Sequence, residues 1–370
     1  MTTFVLVFAP VFTALFGLLF SAIVSLQPPG LPLSVRVPQA HANDRVVKLA
    51  IRSFRWGLVV AWLVTAAVTV ILAIVEQTPL AVLIPVLLYA ALTIVVLVLA
   101  RRLIARAKRD GQWFEGIPVR VSAQITQPER PHAPVIWPAL AVIVLAGATA
   151  VNVALYPTLP NRIPVHFDVS GAPDAWAAKS VWSVFGILIV GVAVVVLLNG
   201  LTLLATRYSA RTQADDSAEQ AMLRTRVQRR LLTSLLSELS FVIALGISAL
   251  ELAQRLLPGA KSATAASAIG LVVLVMAVVI SNVARARVQL RPANVRDARS
   301  PRPDAVDDDQ HWKAGLFYVN RDDPSLLVPR RFGLGWTLNF GRPGGVVLTV
   351  VLLLAIAGIV TAVVLAAHPH

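Results

Sequence analysis

The sequence has no cysteine and little charge. None of its 370 residues is Cys and only 14% are Asp, Glu, Lys or Arg, whereas about 25% is usual in soluble domains. The lack of thiols excludes disulfide scaffolds, thiolate metal sites and cysteine nucleophiles. Acidic residues are scarce, 19 against 33 basic ones, so the net charge is +14. This composition argues against an ordinary soluble enzyme.

Catalytic signatures are missing as well. The chain contains no H-E-x-x-H motif, no G-x-S-x-G motif, no Walker phosphate loop and no dinucleotide-binding fingerprint. We therefore predict no catalytic residue, no cofactor and no bound metal. The basic excess would suggest nucleic acid in a soluble protein, so it must first be compared with the distribution of apolar residues.

Long apolar runs are abundant. Hydrophobic residues make up 57% of the chain, and the mean hydropathy is +0.74. About 20 apolar residues can cross a bilayer, and a helix satisfies its own backbone groups there. We predict an all-α, polytopic integral membrane helical bundle with eight spans: Phe4–Leu26, Trp56–Val75, Pro79–Ala100, Val135–Leu155, Trp182–Ala205, Leu231–Leu252, Ala265–Val283 and Gly345–Ala367.

Charge sets the predicted orientation. Four loops hold 29 of the 33 Lys and Arg residues: 27–55, 101–134, 206–230 and 284–344. Basic residues near span ends favour the cytoplasm, so we expect both termini outside and these loops inside. The charge of +14 then reflects topology, and we expect no direct contact with nucleic acid.

Five regions are expected along the chain. They are a three-helix membrane region, a helix–loop–helix module, a two-helix region with a cytoplasmic helical extension, a cytoplasmic linker with an aromatic-rich lid, and the last span. Their bounds are 1–134, 135–205, 206–283, 284–344 and 345–370. A capping box from Ser217 to Gln220 predicts that a helix begins near Ala218 and continues into the sixth span.

The predicted outer loop, residues 156–181, carries the candidate ligand-binding residues. Alternation from Ile163 to Val169 predicts a short extended segment, with Ser170 and Gly171 in a turn. We select a polar set there: His166, Asp168, Gly171, Asp174 and Lys179. A structured loop whose polar groups satisfy one another, recognition of an extracellular peptide, and a metal or catalytic site on His166 all remain open.

The same loop resembles a known family. Its pattern YPxLPxxIPxHFxxxGxPDxxxxK, from Tyr156 to Lys179, is similar to the signature of the SdpI-like bacterial membrane family, catalogued as domain of unknown function 1648. The family position after His-Phe is often Asn, and here it is Asp168. The resemblance implies a multi-pass protein of the bacterial inner membrane. It also implies immunity against a secreted toxin coupled to binding of a cytosolic repressor.

Two further segments resemble parts of proteins that carry this module. Leu33-Ser34-Val35-Arg36-Val37-Pro38 is similar to an FGVRVP-type segment that follows the first span, with Ser34 where Gly is usual. Residues 312–341, here called the aromatic segment, resemble a second uncharacterised domain, number 5808. The resemblance rests on Gly315, Phe317, Tyr318, Asn320, Asp323, Pro324, Gly335, Trp336, Asn339, Phe340 and Gly341.

The composition of the aromatic segment predicts two short strands, near Leu316–Val319 and Trp336–Phe340, joined through an Asp322-Asp323-Pro324 turn. Its candidate lipid-facing or regulator-docking residues are Trp312, Tyr318, Arg330, Arg331 and Trp336. A small lid packed under the bundle is the structural alternative. Residues 285–310, including Asp307, Asp308 and Asp309, have the composition of a solvated linker.

Few charged or amide side chains lie within the predicted spans, and we select four of them: Asn152, Asn199, Glu238 and Asn282. Such groups act as hydrogen-bonding contacts between helices or mark an ion or proton pathway. We predict a non-catalytic membrane protein that senses or protects against an extracellular peptide or envelope stress. The alternatives are a small-solute or proton-coupled transporter using Glu238 and a metal-dependent membrane enzyme using His166. Membrane lipids, a secreted peptide and a cytosolic regulator are the expected partners.

Overall fold

The computed structural model describes residues 2–24, 27, 30–75, 80–115, 134–167, 172–207, 218–257, 260–289, 307–332 and 335–367. Eight α-helices lie within these residues: α1 Thr2–Val24, α2 Arg45–Val75, α3 Leu80–Asp110, α4 Ile136–Leu155, α5 Val181–Arg207, α6 Ala218–Leu256, α7 Lys261–Gln289 and α8 Pro343–Ala367. The chain is therefore mostly helical, as its composition predicts.

Six of the helices are long and apolar enough to cross a membrane, namely α2 to α7. These six contain the predicted second to seventh spans except for Val135, which precedes α4, and Pro79, which lies outside the described residues. The predicted first and last spans fall on α1 and α8, whose described apolar stretches are the shorter Pro10–Val24 and Pro343–Gly358. A multi-pass membrane protein is compatible with this set of helices.

Several helices extend beyond the apolar runs that predicted them. Helix α2 begins at Arg45 rather than Trp56, and α3 continues from Ala100 to Asp110. Hydropathy marks only the apolar part of a helix, whereas its charged ends keep the same backbone hydrogen bonds. The predicted start of a helix near Ala218 is confirmed, because α6 begins at Ala218 and runs unbroken for 39 residues.

Six short strands form three antiparallel pairs in the described residues: β1 Arg162–Phe167 with β2 Pro173–Ala178, β3 Trp312–Lys313 with β4 Phe317–Tyr318, and β5 Leu327–Pro329 with β6 Trp336–Leu338. The predicted extended segment is β1, while its partner β2 was not predicted. The two strands expected in the aromatic segment are β4 and β6. Each pairs with a strand that was not predicted, and a parallel bridge between Tyr318 and Asn339 joins them.

The chain divides into two compact units. Unit 1 comprises residues 1–129, 209–228 and 283–346, and unit 2 comprises residues 130–208, 229–282 and 347–370. In unit 1, α1, α2 and α3 pack against one another around a core that includes Phe54, Leu97 and Ile104. Phe332 of the aromatic segment enters this core, with its ring centroid 6.1 Å from that of Phe20 and 6.0 Å from that of Phe54.

Unit 2 contains a smaller core between α4, α5 and α6. Its members are mostly small or aliphatic: Ala141, Leu145, Ala148, Leu188, Val195 and Ala244. Helices α6 and α7 approach closely at Gly246, where an added Cβ would lie 2.9 Å from both Cβ and Cγ of Leu271. Small residues at such contacts let membrane helices pack closely.

The segment Leu31–Pro38 is the least expected part of unit 1. All eight residues are buried although they form only one turn of 3₁₀ helix, Pro32–Ser34. Leu33 and Ser34 have positive φ angles of 48° and 65°, a conformation that costs an ordinary residue about 1–2 kcal/mol. Glycine adopts such angles without this cost.

Replacing Ser34 with glycine tests this strain. Gly adopts positive φ without a steric penalty, and Ser34 Oγ makes no hydrogen bond among the described residues. We expect Ser34→Gly to raise the free energy of unfolding by about 1 kcal/mol, measured by thermal unfolding in detergent. The control is Ser53→Gly, at an exposed residue of the right-handed helix α2. This variant should lower the free energy of unfolding by about 0.5 kcal/mol. A loss of stability in Ser34→Gly would contradict the strain.

Candidate functional site

A lysine closes the base of the β1–β2 hairpin. Lys179 Nζ donates hydrogen bonds to the carbonyl oxygens of Tyr156 and Leu159, both at 3.1 Å. The ammonium also lies 5.0 Å from the centre of the Tyr156 ring. The backbone N–H of Lys179 donates to Asn161 O at 2.8 Å. Lys179 thus binds carbonyl groups of the residues that follow α4 and fixes β2 beside that helix end.

The hairpin brings two of the candidate ligand-binding positions together. His166 pairs with Ala175 across the hairpin, and the register is irregular on either side of His166. Asp174 precedes Ala175, so the backbone places it beside the His166 position although eight residues separate the two in sequence. The side chains of His166 and Asp174, and the whole of Asp168 and Gly171, lie outside the described residues. The metal-dependent alternative therefore stays a prediction.

The exposed face of the hairpin carries an aromatic side chain. Trp176 is 50% exposed, whereas Ile163 and Ala177 are buried. At the end of β2, Ser180 and Ser183 cap α5 reciprocally: Ser183 N donates to Ser180 Oγ at 3.1 Å and Ser180 N donates to Ser183 Oγ at 2.9 Å. The hairpin is therefore fixed at both helix ends that it connects.

Two of the four polar residues selected within the predicted spans, Glu238 and Asn282, contact each other. Asn282 Nδ2 donates to Glu238 Oε2 at 2.8 Å, and Ser234 Oγ donates to Glu238 Oε1 at 2.7 Å. Both Glu238 and Asn282 are buried. The carboxyl group thus links α6 to α7, which is the geometry expected of a polar contact between membrane helices.

The other two intramembrane polar residues bond within their own helices. Asn152 Nδ2 donates to Ala148 O at 3.0 Å, and Asn199 Nδ2 donates to Val195 O at 2.8 Å. Neither joins the Glu238 contact in the described residues. The four residues selected from the sequence therefore comprise one pair and two separate groups.

The aromatic segment is packed more deeply than we expected. Trp312, Tyr318, Arg331 and Trp336 are all buried, so these four candidate lipid-facing or regulator-docking residues point into the protein. Arg330 alone of the five is exposed. Part of the reason is that the segment folds on itself: the Trp312 ring lies beside Tyr318 and under the Arg331 guanidinium. The structural alternative of a packed lid describes these side chains better.

Asn339 organises the aromatic segment. Its Nδ2 donates to the carbonyl oxygens of Asn320, Asp323 and Ser325, at 2.7, 3.1 and 3.2 Å. Its Oδ1 accepts from the backbone N–H groups of Asn320 and Gly341, both at 3.0 Å. Asn339 is fully buried. One amide thereby holds several of the residues on which the resemblance of this segment rests.

Tyr318 and Asp323 complete this arrangement. Tyr318 Oη donates to Asp323 Oδ2 at 3.0 Å and accepts from Asn320 Nδ2 at 3.1 Å. Burial, together with the nearby carboxylate, raises the pKa of Tyr318 to about 12. The phenol stays protonated at neutral pH and keeps its role as a donor.

Six charged residues, here called the ion-pair cluster, fasten the aromatic segment to the rest of unit 1. They are Arg36, Lys108, Asp307, Asp308, Asp309 and Arg331. Lys108 Nζ lies 2.6 Å from both Asp307 Oδ1 and Asp309 Oδ2, and Arg36 Nη2 lies 3.3 Å from Asp308 Oδ1. Arg331 pairs with both Asp308 and Asp309.

Further contacts hold Arg331 in place. Its side chain is only 1% exposed, and its guanidinium carbon lies 4.9 Å from the centre of the Trp312 ring. Arg331 Nη1 also donates to Ser34 O at 3.2 Å. Gln27 Nε2 donates to Arg331 O at 3.0 Å, and Gln27 Oε1 accepts from Leu33 N at 3.0 Å. The buried Leu31–Pro38 segment is thereby tied to Arg331.

Electrostatics favours the ionised form of the cluster. Burial raises the pKa of Asp309, but the neighbouring Arg331 and Lys108 outweigh it, so the net pKa lies below its ordinary value. Burial lowers the pKa of Arg36, against the opposing effect of Asp308. An arginine pKa starts so high that the guanidinium stays charged at neutral pH.

Sequence reasoning missed most of this cluster. We expected Asp307–Asp309 to belong to a solvated linker, because an acidic run beside prolines is typical of one. The structure instead pairs these aspartates with cations from three distant parts of the chain. A usable signal was the coincidence of a rare acidic run with an arginine inside the otherwise apolar Leu33–Pro38 segment.

A matched arginine pair tests the cluster. Removing Arg331 leaves Asp308 and Asp309 partly buried with fewer partners, which typically costs about 3–5 kcal/mol. We expect Arg331→Met to lower the free energy of unfolding by about that amount in detergent. Arg330→Met, at the exposed neighbour that donates to Trp336 O, should cost about 1 kcal/mol. Equal losses in the two variants would contradict the special role of Arg331.

Two family models match parts of the chain. Residues 143–192 match a domain of unknown function (DUF1648), and residues 321–346 match a family of unknown function (DUF5808). No curated protein and no solved structure matches the chain. The first match covers the hairpin with the parts of α4 and α5 that flank it. The second covers Asn339 and its partners Asp323, Ser325 and Gly341, up to the start of α8. Both domains expected from the sequence are therefore present, one in the module with the Lys179 contact and the other in the aromatic segment.

Proposed function

We propose that this protein is a non-catalytic, multi-pass protein of the bacterial inner membrane that senses or protects against an extracellular peptide, as the SdpI resemblance implies. The observation that carries the proposal is the β1–β2 hairpin. It brings the His166 and Asp174 positions together on a base that Lys179 holds to the end of α4. A fixed polar hairpin between two apolar helices is suited to recognition.

The strands of the hairpin can accept a peptide. Among the described residues, β1 and β2 pair only with each other, so each strand has an outer edge with backbone groups available for another strand. Extended peptides bind such edges through main-chain hydrogen bonds, while side chains give specificity. The half-exposed ring of Trp176 supplies the kind of aromatic anchor that dominates many binding interfaces.

The proposed topology places this hairpin outside the cell. Eight spans with both termini outside leave the basic loops in the cytoplasm, in agreement with the positive-inside rule. In that topology the aromatic segment lies inside. Sensing then requires a peptide on one side and a regulator on the other.

The surface of the aromatic segment suits such a regulator. Phe317 is 51% exposed, and Lys313, Arg321 and Arg330 are exposed around the segment. An aromatic residue among basic ones is an arrangement that favours a partner with an acidic, partly apolar surface. The buried members of the segment hold this surface in shape rather than contacting the partner.

A deletion strain tests the proposal. We expect loss of the gene to increase sensitivity to one or more secreted antimicrobial peptides and to alter expression of neighbouring genes. Wild-type protein should restore both, whereas His166→Ala and Asp174→Ala should restore resistance only partly because they remove the polar groups of the hairpin. The measurement is the minimum inhibitory concentration with each variant present at equal membrane abundance.

The matched control is Thr158→Ala, at an exposed residue between α4 and β1, which should restore resistance fully. Sensitivity that is the same with and without the gene, together with unchanged expression of its neighbours, would overturn the proposal.

A second candidate function is proton-coupled transport, and the Glu238 contact favours it. A buried carboxyl group that accepts bonds from Ser234 and Asn282 could change its protonation within the membrane. If it does, proteoliposomes with wild-type protein should take up protons or a small solute under a pH gradient. Glu238→Gln keeps the size of the side chain and should abolish that uptake, while Asn199→Ala should not. Identical uptake by wild type and Glu238→Gln would exclude this role for Glu238.

A further inference from the structure

We infer that unit 1 has a binding site for an anionic phospholipid in the groove between α2 and α3. The groove encloses a cavity of about 380 Å³. Its apolar lining comes from Gly57, Val96, Leu99 and Leu103, and two arginines, Arg102 and Arg106, stand at one end. Apolar walls beside two neighbouring arginines are complementary to a molecule with an acyl chain and a phosphate.

Close packing of the two helices shapes the groove. A Cβ at Gly57 would overlap Val96 Cγ1 and lie 3.1 Å from Val96 Cγ2. The missing side chain lets α2 approach α3 at that level and leaves a furrow beside the contact. Leu99, which borders the furrow, is 54% exposed. A surface of this kind, on two helices apolar enough to cross a membrane, is complementary to a hydrocarbon chain.

The basic side chains of α3 lie in two kinds of environment. Lys108 is 8% exposed and is neutralised by Asp307 and Asp309. Arg102 and Arg106 are exposed, and neither makes an ion pair among the residues that the structure describes. They are four residues apart, so they lie on one face of the helix. Lys108 is thus compensated within the protein, whereas Arg102 and Arg106, toward the groove, are free to bind an external anion.

A phosphodiester is the anion that this face suits best. Guanidinium groups bind phosphate oxygens with two parallel hydrogen bonds, and basic pockets between membrane helices on the cytoplasmic side bind anionic lipid headgroups. The predicted topology places this end of α3 at the cytoplasmic surface. The occupant that we propose is therefore a phospholipid with a net negative headgroup, such as phosphatidylglycerol.

This site differs from the lipid contact expected from the sequence. The expected phosphate contacts were Arg330 and Arg331 in the aromatic segment, but Arg331 is used within the ion-pair cluster. The α2–α3 groove has both arginines without an ion-pair partner among the described residues and an apolar furrow beside them. The aromatic segment does not have this combination. The inference does not depend on what the hairpin recognises.

Native mass spectrometry of the full chain in detergent tests the site. The probes are phosphatidylglycerol and phosphatidylcholine with identical acyl chains. We expect wild-type protein to retain one phosphatidylglycerol with about thirtyfold higher affinity than phosphatidylcholine, as two headgroup-contacting arginines would give. In Arg102→Gln/Arg106→Gln this preference should fall to within about twofold, because the headgroup loses its main partners.

Two controls make the result specific. Arg230→Gln/Arg287→Gln removes two exposed arginines of α6 and α7 and should keep the preference. Leu99→Trp fills the furrow without altering charge and should weaken the binding of both lipids. Thermal unfolding without added lipid checks that each variant is folded.

Three outcomes would overturn the inference. The first is no preference for phosphatidylglycerol in the wild type, and the second is an equal loss of preference in both arginine double variants, which would indicate general charge attraction. The third is displacement of the lipid by inorganic phosphate at equal concentration, which would show that the site recognises the anion alone.

Discussion

The ion pairs that Asp308 and Asp309 make with Arg331 are the contact on which unit 1 depends. Removing charges from water costs several kcal/mol per ion, and only close, multiple partners offset that cost. Here the aspartates are met by Arg36, Lys108 and Arg331, and the last of these also lies over the Trp312 ring. The buried Leu31–Pro38 segment and the aromatic segment are held in place through these residues. The strain at Ser34 is sustained for the same reason, since its carbonyl oxygen accepts from Arg331.

Much of the helical architecture follows from local sequence. Runs of about 20 apolar residues identify helices because nothing else satisfies the backbone in a bilayer, and six helices meet that test in the structure. The capping box at Ser217 predicts the start of α6 at Ala218 because the signal lies within one helical turn. The two domain resemblances also rest on contiguous motifs, and residues 143–192 and 321–346 match the corresponding family models.

The site contacts were harder to predict because they join distant residues. Lys108 and Asp307 are 199 residues apart, and no spacing rule connects them. An acidic run beside prolines has the same composition whether it is solvated or paired, so composition alone assigned it to a linker. The role of Lys179 was hidden for a different reason. Its partners are backbone carbonyl groups, which every residue has and no motif can identify.

The buried Leu31–Pro38 segment has a consequence for how the protein is made. It lies near the beginning of the chain, yet the side chains that complete its surroundings include Asp309 and Arg331. Synthesis proceeds from the N-terminus, so about five-sixths of the 370 residues must be translated before Arg36 and Lys108 meet their acidic partners. Until then these two cations, which are buried in the folded unit, lack those partners. Unit 1 therefore assembles late. A prematurely terminated chain lacks Asp309 and Arg331, which contact the Leu31–Pro38 segment in the folded protein.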